Sequence, residues 1–168
     1  MQVRDKIYIN GAWVAPHGKG TIDVHNAATE EVMARIPECN EADAGAAVIA
    51  ARAAFDAWAA LPPAKRAEYL QKIHEGMKAR GEELGRTIAQ AVGMPIKLAT
   101  RIQVGSPTFT FAMYAKMLGT YVWEERVGNS IVMREPVGVV AAITPWNYPL
   151  HQIAAKVAHG KHLAGGLA

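Results

Sequence analysis

The heptapeptide Val137-Gly-Val-Val-Ala-Ala-Ile143 constrains this chain more than any other stretch. It is continuously apolar, valine-rich and of strand length, and it lacks the polar alternation of a strand with one face in water. Such a run suits a strand buried on both faces, as in a parallel sheet covered by helices. Thr144-Pro-Trp-Asn-Tyr-Pro149 stops it. Residues 150–157 then read as a helix with Pro149 in its first turn, where a missing N–H costs nothing. Strand, tight loop and helix make the opening of a βαβ unit. In open α/β sheets ligands gather at the carboxyl ends of strands, where loop backbone and helix N-termini present unpaired N–H groups. Residues 144–147 occupy that position.

The upstream segments carry short-range signals. Lys6-Ile-Tyr-Ile-Asn10-Gly11-Ala-Trp-Val14 alternates on both sides of Asn-Gly, which predicts a hairpin with a two-residue type I′ turn. Thr21-Ile-Asp-Val-His25 and Val32-Met-Ala-Arg-Ile36 alternate around Asn26-Ala-Ala-Thr29, predicting a second hairpin and four short strands in all. From Asn40 the period turns helical. Asn40 is an N-cap residue, with Glu41 and Asp43 in the first turn facing the positive dipole end. Ala44, Val48, Ala51, Phe55 and Trp58 are expected on one buried face.

Leu61-Pro62-Pro63 ends that helix and starts a second, with Leu70, Ile73 and Met77 inward and Lys65, Glu68, Lys72 and Glu75 toward water. Leu84, Ile88, Ala91 and Val92 mark a third helix, cut at Gly93-Met94-Pro95. A fourth carries Leu98, Ile102, Phe109, Met113 and Met117, a stripe read as core packing, with a kink expected at Gly105-Ser106-Pro107. After Gly119 the chain reads as extended through Tyr121-Val-Trp123. A further hairpin is expected around Gly128-Asn129, with Val127, Ile131 and Met133 on one face.

Composition excludes several classes. With 168 residues, 51% apolar and 20% charged, the chain is one ordinary soluble domain rather than a disordered one. Eighteen basic against 15 acidic residues leave +3, spread in mixed sign, which argues against a nucleic-acid surface. Cys39 is alone, so no internal disulfide forms. Neither a membrane-length apolar stretch nor a signal-peptide core is visible, and the reading is cytoplasmic.

Among residues with chemistry, Asn147 is a neutral donor at the strand-to-helix loop, suited to holding an oxygen as it gains negative charge. The same residue type also caps helices, and spacing leaves both roles open. His159 and His162 stand three apart, a spacing compatible with metal ligation, but Gly160 and Gly165-Gly166 argue against a helix there and no third ligand is near. A frayed tail without metal is the expectation. His151 reads as a wall residue beside the loop, and His74 as bordering the helix core.

Glu135-Pro-Val-Gly-Val-Val-Ala-Ala-Ile-Thr-Pro-Trp-Asn-Tyr-Pro-Leu150 resembles the first nucleotide-domain strand and active-site loop of the NAD(P)-dependent aldehyde dehydrogenase superfamily. Tyr8-Ile-Asn-Gly-Ala-Trp13, Ala51-Arg-Ala-Ala-Phe55 with Trp58, and Gly93-Met-Pro95 follow that family's N-terminal order, so the resemblance runs from Lys6 to about Val157. It implies an α/β fold, the N-terminal part of an aldehyde dehydrogenase-like fold. Its parts are short β-hairpins, four helices, an assembly hairpin over 120–136 and the first strand-loop-helix of a Rossmann-like domain. Residues 1–157 would form an incomplete cofactor-binding domain and 158–168 a tail outside the family pattern.

The resemblance further implies oxidation of an aldehyde to a carboxylic acid through a cysteine thioester, with hydride passed to NAD or NADP. Asn147 matches the oxyanion-hole asparagine. Ile143, Thr144, Pro145 and Trp146 match the loop along the nicotinamide half of the cofactor, and Tyr148 and Gln152 match positions lining the aldehyde channel, one helical turn apart. The hairpin 120–136 is similar to strands used in homo-oligomer assembly. The family's nucleophilic cysteine, general-base glutamate and ribose-contacting lysine have no counterpart in these 168 residues, and Cys39, among the early strands, is no substitute.

The expectation is therefore the N-terminal portion of such an enzyme, shortened by truncation or a frameshift near codon 158, poorly soluble and inactive alone, with no cofactor bound by this chain by itself. Two alternatives stand beside it: a non-catalytic protein that joins full-length subunits, and a small nucleotide-binding module.

Overall fold

The computed structural model describes residues 2–163, with side chains from 3 to 159. Strands β2 (Ile7–Ile9) and β3 (Ala12–Val14) form the first hairpin, and Asn10 and Gly11 both adopt positive φ, 52° and 78°, as a type I′ turn requires. Tyr8 and Trp13 sit opposite each other with ring centroids 5.3 Å apart. Strands β4 (Gly20–His25) and β5 (Val32–Glu38) pair antiparallel, Ile22 opposite Ile36. A fifth strand, β1 (Gln2–Val3), adds parallel to the free edge of β5. Two residues are too few to show a period in sequence, so it was not expected.

Helix α1 (Glu41–Ala59) opens on a capping box: the Asn40 side chain accepts from Ala42 N and Asp43 N, while Asp43 Oδ2 accepts from Asn40 N at 3.0 Å. Asp43 does more than face the dipole. Buried at 3% exposure, it accepts from His17 N at 2.7 Å and Gly18 N at 3.1 Å, and lies 3.0 Å from His17 Nδ1. The backbone N–H of His17 above all, with those of Asn40 and Gly18, holds its carboxyl well below the ordinary carboxylate range, against the opposing pull of burial. One carboxylate thus ties the strand region to α1. The apolar stripe expected on α1 is only partly covered. Ala51 is buried and Phe55 and Trp58 are half-buried, whereas Ala44 and Val48 are exposed. A helical period shows which residues share a face, not how much of that face finds a neighbour.

The main core lies between α2 (Pro63–Ala79), α5 (Gly105–Leu118) and α6 (Pro149–Leu163), around Leu70, Phe111, Leu118, Ala154 and Ala158. Helix α6 runs through Gly160 to Leu163, correcting the expectation of a non-helical tail from 158 onward. One glycine costs a helix only about 1 kcal/mol, and Ala154 and Ala158, both fully buried, anchor that turn against α2 and α5. His74 Nδ1 donates to the Thr108 carbonyl at 2.9 Å, at the border of this core as expected.

Helix α3 (Gly81–Val92) ends on Gly93 at φ 71°, the left-handed C-cap that glycine fills without strain. A single turn, α4 (Ile96–Leu98), follows, and Ala99–Val104 is a π-helical turn leading into α5. The kink expected from Pro107 is thus realised upstream as a change of helix type. Ile88, Ala99 and Val104 form a second cluster, joined by Leu84, Val92, Met94 and Leu150. The Met and aromatic stripe of this region is not core. Leu98, Ile102, Phe109, Met113 and Met117 are all exposed, and the buried row is Ala99, Gln103, Val104, Pro107, Thr108, Phe111 and Leu118. Phe109, Met113 and Met117 share one face of α5, as the count predicts, but no other element covers that face among the described residues.

Strands β6 (Glu124–Val127) and β7 (Ser130–Met133) form the third hairpin about Gly128-Asn129. Its register corrects one expectation. Arg126 faces Ile131 and Glu124 faces Met133, whereas Val127 faces Ser130, so Val127 shares the other side with Val132. A two-residue turn dictates that alternation. Tyr121-Val-Trp123 is not a strand. Instead Arg134 clamps the hairpin base, its backbone N–H donating to Trp123 O and its guanidinium to Val122 O and Glu125 Oε2. The Arg66 guanidinium stacks on the Trp123 ring at 4.4 Å.

Residues 137–143 run without pairing, and Val137, Val140 and Ile143 are exposed, so the doubly buried strand expected here is not formed among the described residues. A strand is completed by its neighbours' hydrogen bonds, and no second strand lies beside this one. Among the described residues no helix is long and apolar enough to cross a membrane.

Candidate functional site

The loop that the sequence singles out ends where α6 begins. Tyr148 O accepts from Gln152 N at 2.9 Å, the first bond of the helix, and Pro149 follows at a position that needs no donor. Asn147 precedes this start and is exposed. Among the described residues its side-chain amide makes no hydrogen bond, so it does not cap α6 and both its N–H donors remain open to a ligand. Its backbone, in contrast, is held: Gln103 Nε2 donates to Asn147 O at 3.4 Å.

Ile143, Thr144, Pro145 and Trp146 form an irregular, solvent-facing approach to Asn147 that bends at Trp146, with Ile143 85% and Trp146 78% exposed. Tyr148 immediately precedes α6 and Gln152 lies in its first turn, where Gln152 Oε1 accepts from Lys156 Nζ at 3.1 Å. His151 is half-buried. The structure therefore brings all seven sequence-predicted residues into one continuous loop and first turn, open on its outer side. A separate cleft of about 800 Å³ lies between Pro62, Arg66, Trp123 and Arg134, away from this loop.

Gln103 is not marked by its sequence context. The only signal for it was a polar amide between Ile102 and Val104 within an apolar helical pattern, which is as readily a solvent-facing residue. Of the other candidates, Cys39 is exposed, and His159 packs edge-on against Tyr114 at 5.8 Å. The His162 side chain and Gly165-Gly166 lie outside the described residues. Among the described residues no group of three or more His, Cys, Asp or Glu is arranged to hold a metal ion.

Residues 13–166 match the Aldehyde dehydrogenase family. The 3-succinoylsemialdehyde-pyridine dehydrogenase of a Pseudomonas species is 39% identical over 154 residues, 91% of this chain and 32% of that protein. Geranial dehydrogenase of Castellaniella defragrans is 36% identical over 169 residues, 96% of this chain and 35% of that protein. The chain thus spans about a third of the length of the curated relatives it matches. Among solved structures, a mutant aldehyde dehydrogenase C from Pseudomonas syringae, in complex with NAD+ and octanal, superposes with a TM-score of 0.93 at 42% identity, over 95% of this chain and 33% of that one. A Mycobacterium tuberculosis aldehyde dehydrogenase complexed with NAD+ gives 0.91 at 33% identity, over 97% of this chain and 35% of that one. With a match over nearly its whole length and a fold that follows the N-terminal part of these structures, this chain belongs to the aldehyde dehydrogenase family.

Proposed function

We propose that these residues serve as the N-terminal part of an NAD(P)-dependent aldehyde dehydrogenase, which oxidises an aldehyde to a carboxylic acid through a cysteine thioester. In this reading Asn147 contributes a side-chain N–H to the oxyanion hole. The observation that carries it is the state of that amide: exposed, without a hydrogen bond among the described residues, on a backbone that is itself held in place. A neutral amide keeps its donor at every pH, and a donor fixed beforehand does not have to reorganise when the carbonyl oxygen gains charge.

The cofactor fits the loop in one respect. The exposed stretch Ile143, Thr144, Pro145 and Trp146 leaves backbone and indole accessible to a planar ring, and these residues would flank its nicotinamide half. When bound, NAD or NADP accepts the hydride. Tyr148 and Gln152 border the aldehyde's approach from the α6 side. The nucleophilic cysteine and the general base come from outside residues 1–168, so these residues alone turn over no aldehyde. The hairpin 120–136, whose strands are exposed along their whole length, provides the contact for homo-oligomer assembly, and the setting is cytoplasmic.

The decisive measurement is Asn147→Ala in the complete polypeptide. Loss of one oxyanion donor lowers kcat on the order of 100- to 1000-fold, with the circular dichroism spectrum unchanged. A variant within twofold of the parent would remove the assignment. NADH formation from an aldehyde by residues 1–168 alone would show that the nucleophile is not external.

A further inference from the structure

We infer that Gln103 is a positioning residue that sets the height of the Asn147 amide, an inference that rests on the oxyanion reading of Asn147. Gln103 is 0% exposed. Its Nε2 donates to Asn147 O at 3.4 Å and reaches Met94 Sδ at 3.6 Å, while its Oε1 is buried with no partner among the described residues. Packing alone does not account for glutamine at such a place. An apolar side chain of the same length would fill the space without leaving a buried acceptor unsatisfied. What the amide supplies, and an apolar chain does not, is a donor aimed at the backbone of Asn147, the loop residue read here as the oxyanion donor.

The surroundings point the same way. Gln103 belongs to the π-helical turn Ala99–Val104, a rare form that recurs at functional sites. That turn also receives Leu150, which packs on the cluster of Ile88, Ala99 and Val104 three residues beyond Asn147. The stretch around Asn147 is thus held twice by one short turn, at its own carbonyl by a hydrogen bond and at Leu150 by apolar contact. Neither restraint touches the Asn147 side chain. Gln103 therefore acts through the position of another residue, and its removal shifts the donor rather than deleting it.

The variant is Gln103→Met, which keeps the length and removes the donor. In residues 1–168, chymotrypsin cleavage of the exposed Trp146–Asn147 bond is expected to rise about tenfold, with cleavage after Tyr69 and Phe109 unchanged, because local opening and not global unfolding is affected. Equal acceleration at all sites, or none at Trp146, overturns the inference. In the complete polypeptide kcat is expected to fall about tenfold with KM for the aldehyde unaltered, and Q103M is expected to add nothing in an N147A background. A further tenfold loss on top of N147A means that Gln103 acts elsewhere and sinks the proposal. Should N147A itself leave kcat intact, the oxyanion reading fails, while site-selective cleavage still decides whether Gln103 holds the loop. Gln103→Leu repeats the series should Q103M not fold.

Discussion

Gln103 and Asn147 are 44 positions apart in sequence, and the buried side-chain amide of the first donates to the backbone carbonyl of the second. The bond joins the π-helical turn to the start of α6, two segments with no common hairpin or strand to hold them together. Its effect is asymmetric: the main chain at Asn147 is restrained, while the side-chain amide makes no hydrogen bond among the described residues. Were Asn147 the oxyanion donor proposed above, such preorganisation would lower the barrier, because a donor fixed beforehand does not reorganise at the moment of reaction.

The Asp43 clasp makes the fold acid-sensitive. In the folded chain the carboxyl lies below its ordinary range, chiefly through the backbone N–H of His17. A depressed carboxyl contributes stability that is complete above the unfolded value of about 4 and drains away as pH falls from there toward the folded value. Urea midpoints measured from pH 7 to 2.5 are expected to fall steeply below about pH 4. Asp43→Asn is expected to start lower at neutral pH and to fall less, the two curves converging in acid. Parallel curves would mean that the clasp contributes nothing.

Gly85 leaves room that the π-helical turn occupies. A Cβ at this buried position of α3 would come within 3.2 Å of Thr100 Cα and closer still to the Thr100 hydroxyl. Alanine gains about 1 kcal/mol in helix propensity, but overpacking typically costs about 1–3 kcal/mol, and the obstacle here includes backbone, which yields little. Gly85→Ala is expected to lower the thermal midpoint, and Thr100→Ala in the same chain to restore part of the loss. A stabilised single variant would show that the two helices slide apart freely.

The hairpin of β6 and β7 presents Ile131 and Met133 on one side and Val127 and Val132 on the other, all exposed. Apolar side chains displayed on both faces of a two-stranded ribbon favour association. Sedimentation velocity is expected to show concentration-dependent self-association, reduced by Ile131→Lys without change in helical content. A monomeric parent at the same concentrations would remove the hairpin as an assembly element.

Local signals were enough for several elements and their ends. Asn10-Gly11 dictated the first turn because few residue pairs tolerate two positive φ values in succession, Asn40 and Gly93 marked helix ends through their caps, and Pro62-Pro63 separated α1 from α2. The sequence also placed Asn147 between an apolar run and a helix, since that boundary is written in residues that touch one another along the chain. Which faces are buried was a different matter. A period identifies a stripe, but the stripe of Leu98, Ile102, Phe109, Met113 and Met117 faces outward, because cover depends on elements far away in sequence. Residues 137–143 had the composition of a strand yet made none, since pairing needs a partner that composition cannot supply. Gln103 was illegible for the same reason. Whether a glutamine in an apolar stretch points to water or to the carbonyl of a residue 44 positions on is settled only when two segments meet in space, and that meeting is decided by tertiary packing.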